Sequence, residues 1–143
     1  MKIAALLRQK GDFVATVRPD TTVTEALDEL DRHHVGALVV SAHDRSLDGI
    51  VSERDVVRHL ARSGPGVLDG PVSAIMSANV QTCGLDDDLE GLMNAMTAGR
   101  FRHVPVVQDG VLVGIVSIGD VVKARVDQLE DDRRALTDYI NAR

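Results

Sequence analysis

Two seven-residue stretches carry the side chains best suited to chemistry. Gly49-Ile50-Val51-Ser52-Glu53-Arg54-Asp55 and Gly114-Ile115-Val116-Ser117-Ile118-Gly119-Asp120 share a glycine, an apolar pair, a serine and, three residues on, an aspartate. That spacing closes a helix N-terminus: the serine hydroxyl accepts from a first-turn amide, and the aspartate reaches back to the serine N–H. The same geometry can hold a ligand. First-turn amides and the helix dipole suit a phosphate, and a carboxylate can accept two hydrogen bonds from adjacent sugar hydroxyls. A single copy needs no more than the capping reading. Two copies at matched positions favour binding. Ser52 and Ser117 have no candidate base near them in sequence, so the expectation is not an enzyme.

These stretches recur because the chain is duplicated. Shifting the first half by 66 places Val14, Thr16 and Asp20 on Val80, Thr82 and Asp86, and Leu27 and Leu30 on Met93 and Met96. After a one-residue deletion, Gly49 to Ser52 fall on Gly114 to Ser117, and Asp55-Val56-Val57 on Asp120-Val121-Val122. Each copy reads as a short strand (Val14 to Val17; Val80 to Cys83), then a helix. The helix stripe is Val23, Ala26, Leu27 and Leu30, or Leu89, Leu92, Met93 and Met96, with Thr22 or Thr24 as the first copy's N-cap. Strands at Ala37 to Val40 and Val104 to Val107 pair across turns with Gly49 to Val51 and Val111 to Val116. A last helix opens at Ser52 or Ser117.

The expected fold class is α/β of the α+β type: two β-α-β-β-α repeats packed with pseudo-twofold symmetry, plus a C-terminal helix. Its divisions are residues 1–62, a Gly/Pro-rich linker 63–71, residues 72–125 and a tail 126–143. Residues Lys2 to Leu7 read as a short helix of the first repeat, with Val72 to Met76 as its counterpart. In the tail, Val122, Val126, Leu129, Leu136 and Ile140 share one helix face, interrupted by Arg133. That face suits either its own domain or a second subunit.

Composition removes several alternatives. The chain has 143 residues, Lys plus Arg is 16, Asp plus Glu is 22, and the net charge is −6. An acidic chain with only Phe13, Phe101 and Tyr139 as aromatics has neither the basic footprint nor the stacking platform of a nucleic-acid binder. No stretch reads as a membrane span or signal peptide. The lone Cys83 permits no intramolecular disulfide and reads as a small buried residue. His33 and His34 lack partners at metal-ligand spacing, and Asp86-Asp87-Asp88 reads as a turn with an N-cap; no metal is expected. A cytoplasmic setting is the expectation.

The stretches PDTTVTEALDELDRHHVGALVV, GIVSERDVV, MNAMTAGRFRHVPVV and GIVSIGDVV together resemble a tandem pair of CBS domains, over about residues 1–125. The resemblance implies a regulatory module with two pseudo-symmetric clefts between the repeats. The clefts would take an adenosine nucleotide, AMP, ADP or ATP, with NAD(H) or S-adenosylmethionine as further possibilities and no required cofactor. It implies a homodimer that signals occupancy to a regulated protein. One cleft would use Asp120, Ser117 and Gly119, with Ile115 on the base, Arg102 and His103 on phosphate, and Ala15 and Val35 as walls. The other would use Asp55, Ser52 and Arg54, walled by Gln81 and Phe101. Gly36-Ala37 stands where the other copy has Arg102-His103, so tighter phosphate binding is expected at the Asp120 cleft. The rival reading is an interaction dimer with vestigial clefts.

Overall fold

The computed structural model describes residues 1–142; Arg143, the end of the expected tail, lies outside the described residues. The chain folds in the order α1 (Ile3–Lys10), β1 (Thr16–Val17), α2 (Val23–His33), β2 (Ala37–Val40), β3 (Gly49–Ser52), α3 (Glu53–Ser63), two 3₁₀ turns (Pro65–Asp69, Val72–Ala74), α4 (Leu89–Gly99), β4 (His103–Gln108), β5 (Val111–Ser117) and α5 (Ile118–Asn141).

Each repeat is built around an antiparallel pair. In the first, β2 pairs with β3 from Ala37 opposite Ser52 to Val40 opposite Gly49, and β1 adds a parallel edge. In the second, β4 pairs with β5 from His103 opposite Ser117, with an irregularity between Val106 and Val107. The strand expected over Val80 to Cys83 shrinks to one parallel bridge, Cys83 with Val106. The chain leaves the sheet at once there, because Gly84 opens a turn whose N–H donates to Asp87 Oδ2 at 2.7 Å. The β4–β5 turn puts Asp109 and Gly110 at φ 52° and 77°, the left-handed pair that matches a twisted two-residue hairpin.

α2 starts where Thr22 accepts from the Glu25 amide at 3.1 Å; Thr24 instead donates to Leu68 O across the fold. Its apolar stripe packs on the sheet, so Val23, Ala26 and Leu30 join Leu38, Val40 and Val51 in one core. α4 does the same in the second repeat through Leu89, Leu92 and Met96, beside Val104, Val106 and Val116. Asp88 occupies the α4 N-cap position without capping through its side chain.

One sequence expectation is corrected by the packing. α1 does not belong to the first repeat: Ile3, Leu6 and Leu7 sit in the second repeat's core, and Val72 and Ile75 sit in the first's. The two helical arms are exchanged, tying the repeats together. Each backs onto the equivalent glycine. A Cβ on Gly114 would meet Leu7 Cδ1 at 2.8 Å, and one on Gly49 would meet Met76 Sδ at 2.6 Å. The connector is also more than a spacer, since Val67 and Leu68 of its 3₁₀ turn pack against the first core. Nor does the tail begin as a new element: α5 runs unbroken for 24 residues after its Ser117 cap, and only Val121 and Ala124 are buried along it.

Candidate functional site

Both Ser–x–x–Asp stretches form the capping boxes their spacing allows. Ser52 N–H donates to Asp55 Oδ2 at 2.8 Å and Asp55 N–H to Ser52 Oγ at 3.3 Å. Ser117 N–H donates to Asp120 Oδ2 at 2.8 Å and Asp120 N–H to Ser117 Oγ at 3.1 Å. One oxygen of each carboxylate is thus committed to its own helix, while Oδ1 takes no part in either cap. A groove nonetheless separates the halves. It holds two adjoining cavities, of about 460 Å³ beside Asp55 and about 390 Å³ beside Asp120.

Local geometry explains why each cavity draws on both repeats. α3 and α5 start directly at the ends of β3 and β5, so their N-termini open at the inter-repeat groove. Opposite them, α2 and α4 end on His34 and Arg100, both left-handed at φ 54° and 57°. A non-glycine residue in that region carries strain, and there it turns the chain sharply into β2 or β4. His34, Val35, Gly36 and Ala37 therefore face the Asp120 cavity, and Arg100, Phe101, Arg102 and His103 the Asp55 cavity. The turns are fastened alike: Glu53 N–H donates to Gly36 O at 3.0 Å, and Ile118 N–H to Arg102 O at 2.8 Å.

The Asp55 cavity gathers Ser52, Arg54, Asp55 and Phe101, as expected, but also Arg102, Gly119 and Ser117, which had been assigned to the other cleft. Arg58 and Arg100 join them, unforeseen. The Asp120 cavity gathers Asp120, Ser117, Ile115, His103, Ala15 and Val35 as expected, with Lys10, Phe13 and His34 added. Gly36, Ala37, His103 and Ser117 line both cavities. Arg102 is split from the Asp120 site because adjacent residues of an extended segment turn to opposite sides. Gln81 is not brought to either: it lines a separate cavity with Met1, Cys83 and Asp87, because only Cys83 of its segment joins the sheet. Of the pair expected at Asp120, Arg102 therefore lines the Asp55 cavity and His103 lines both.

The charges differ sharply. Four exposed arginines, 54, 58, 100 and 102, surround the Asp55 cavity together with the carboxylates of Glu53 and Asp55. Among the described residues Arg54, Arg100 and Arg102 form no ion pair, and Arg58 stands 4.0 Å from Asp55 Oδ1. At Asp120 the cation is already engaged: Lys10 Nζ lies 2.8 Å from Asp120 Oδ2 and donates to Ile115 O at 2.6 Å. Burial acts to raise the Asp120 pKa, but the bonds from Lys10 and Ser117 outweigh it and hold the carboxyl below its ordinary value. Burial pushes the His103 imidazole down, with Asp120 and Glu53 opposing, so it is neutral at pH 7. Burial also lifts the Cys83 thiol to about 11, which leaves it protonated and unreactive.

Lys10, the last residue of α1, and Phe13 just after it were missed because α1 was placed with the wrong repeat; nothing in local spacing signals an exchanged arm. Arg100 and His34 were recoverable, since the 66-residue shift aligns them at the ends of equivalent helices.

Among the described residues there is no cluster of three metal-ligating side chains, and no helix long and apolar enough to cross a membrane. The CBS domain family matches twice, over residues 11–62 and 72–127. A CBS-domain containing protein of Agrobacterium tumefaciens is 46% identical, with a TM-score of 0.85 over 87% of this chain and 99% of that one. A CBS domain protein of Pyrobaculum aerophilum, solved in complex with AMP, is 29% identical with a TM-score of 0.73, covering 84% of this chain and 89% of that one. The mitochondrial CBS domain-containing protein CBSX3 of Arabidopsis thaliana is 36% identical over 85% of this chain; the match spans 61% of that relative's length. With its duplicated sequence, its paired sheets and two family matches that together cover most of its length, the chain belongs to the CBS-domain family.

Proposed function

We propose that this chain is a regulatory module that binds an adenosine nucleotide of the AMP, ADP and ATP class between its repeats and passes occupancy on to a partner protein. The observation that carries this reading is the Asp55 cavity. There a helix N-terminus with a carboxylate for ribose hydroxyls faces three arginines that form no ion pair among the described residues, drawn from both repeats. A phosphate there exchanges water for charged donors, and each such bond contributes about 1.5–3 kcal/mol. The AMP complex of the relative from Pyrobaculum aerophilum supports the choice of ligand class.

A ligand held by both repeats stabilises one arrangement of the two, which is how occupancy becomes a signal. Phosphate-bearing ligands prefer the Asp55 cleft over the Asp120 cleft, the reverse of the ranking expected from sequence. The output of this module is binding and a change in the arrangement of its repeats. Titration calorimetry with AMP and adenosine tests the proposal. AMP binding at least about tenfold tighter than adenosine supports it; equal affinity, or heat from neither, contradicts it.

The second reading, an interaction module with vestigial clefts, draws on the capped carboxylates and on Lys10 seated against Asp120. It requires that AMP, ATP, NADH and S-adenosylmethionine all leave the melting temperature unchanged. A ligand at 100 times its Kd adds about 2.7 kcal/mol and moves it by several degrees.

A further inference from the structure

A further cavity opens where β2 ends and β5 begins, at the opposite ends of those strands from the clefts. It measures about 490 Å³ and shares Phe13 alone with the Asp120 cavity and nothing with the Asp55 cavity. Val17 and Leu112 give it a buried apolar floor. Its rim is exposed and carries both signs of charge, Arg18 and Arg45 with Asp12 and Asp44. The arginines are positioned: Arg18 Nη1 donates to Ala42 O at 3.1 Å, and Arg45 Nη1 to Leu112 O at 3.3 Å. The loop that carries Asp44 and Arg45 closes on itself, with Ala42 N–H on Asp48 Oδ2 at 2.6 Å and His43 N–H on Ser46 Oγ at 3.1 Å. Yet the opposite charges on the rim do not satisfy one another. Among the described residues Arg18 pairs only with Asp20, at 3.8 Å and off the cavity, and Asp12, Asp44 and Arg45 form no ion pair.

The shared fold does not call for this rim. The shift of 66 sets Ala78 opposite Asp12 and Gly84 opposite Arg18, and counting back from Gly49 and Gly114 sets Gly110 opposite Arg45. Arg45 and Gly110 are both left-handed, at φ 59° and 77°. Glycine takes that conformation freely; Arg45 holds it under strain, fixed by the Leu112 N–H that donates to its carbonyl at 3.1 Å. The first copy thus keeps a strained guanidinium at the cavity where the second has no side chain at all.

We propose that this cavity is a separate ligand site that takes a free α-amino acid with an apolar side chain. The charges select the class. A simple anion would meet Asp12 and Asp44 with nothing to offer them, and a simple cation would meet Arg18 and Arg45 likewise. A molecule carrying both signs satisfies both pairs: its carboxylate accepts charged hydrogen bonds from the guanidiniums, and its ammonium donates them to the aspartates. Its side chain covers Val17, Leu112 and the ring of Phe13, which is 64% exposed. The volume lies within the range of small-molecule sites, about 300–1,000 Å³. Leu112 belongs to the second repeat and the loop to the first, so an occupant bears on the joint between them. The site rests on this cavity alone and is independent of the nucleotide reading.

Titration calorimetry of the full chain with L-leucine, L-methionine and L-phenylalanine tests it. At least one should bind, and its amide and its N-acetyl form, which each keep a single charge, should bind at least about tenfold more weakly. Arg45→Gly removes the guanidinium and suits the left-handed turn, so the chain should stay folded and lose at least about tenfold in affinity for the amino acid. Asp12→Asn should weaken the amino acid and its amide and leave the N-acetyl form unchanged. Binding that needs both charges and is lost in Arg45→Gly supports the proposal. Heat from none of the three, an amide that binds as well as its amino acid, affinity that survives Arg45→Gly, or heat that excess AMP removes overturns it. AMP titrated into the Arg45→Gly chain reports the nucleotide clefts separately, so failure of one reading leaves the other standing.

Discussion

The two clefts start from the same seven-residue pattern and end with opposite electrostatics. At Asp55 the capping carboxylate faces exposed arginines from both repeats. At Asp120 the equivalent carboxylate is tied to Lys10 at 2.8 Å, and among the described residues no arginine lines that cavity. The helix N-termini are the common framework; the residues each receives from the other repeat make the difference. A duplicated fold can thus keep two scaffolds while giving each a different charge, because every cleft is finished by the opposite copy and its exchanged arm.

The largest effect should come from that exchange. Ile3 is fully buried under the second repeat's sheet, so Ile3→Ala should cost about 2–5 kcal/mol in urea unfolding. A cost near zero would mean that α1 does not hold the second core. Next comes the cationic side. Arg102→Ala should weaken AMP by roughly 10- to 150-fold while leaving adenosine nearly unchanged. An equal loss for both would make Arg102 a shape residue.

A smaller contrast separates the equivalent glycines. An added Cβ at Gly49 meets the Ser77 carbonyl at 2.9 Å, backbone that is itself bonded to Ile50. Gly49→Ala should cost about 1–3 kcal/mol, whereas Gly114→Ala meets only the movable Leu7 methyls and should cost less. Equal melting temperatures for the two variants would remove the distinction.

The smallest effect is Lys10→Met, no more than about 1 kcal/mol at neutral pH. The sign follows from Asp120. Its folded pKa lies below the ordinary 3.8, so its contribution is present above 3.8 and lost as pH falls through the lower folded value. Lys10→Met should therefore bring acid unfolding to a higher pH; an unchanged acid midpoint would show that the ion pair adds nothing.

Much of this was legible in the chain. The apolar spacing of α2 and α4 and the strand Ala37–Val40 follow from residues near one another, and so do the two caps. The capping reading is met at both stretches, and one carboxylate oxygen of each aspartate takes no part in the cap. The exchanged arm was not legible, since Ile3, Leu6 and Leu7 have the same stripe whichever sheet they cover. Placing Arg102 at Asp120 failed for a related reason: the side that an extended residue faces depends on its neighbours in the other repeat. Gln81 failed because only Cys83 of its segment reaches the sheet.

The central claim is that the Asp55 cleft, not the Asp120 cleft, grips the phosphate-bearing ligand. Titrating AMP calorimetrically into Asp55→Asn and Asp120→Asn measures it directly, since both replacements keep a hydrogen-bonding cap. The account predicts a loss of at least about tenfold for Asp55→Asn and a smaller change for Asp120→Asn; the reverse order, or no change in either, would contradict it.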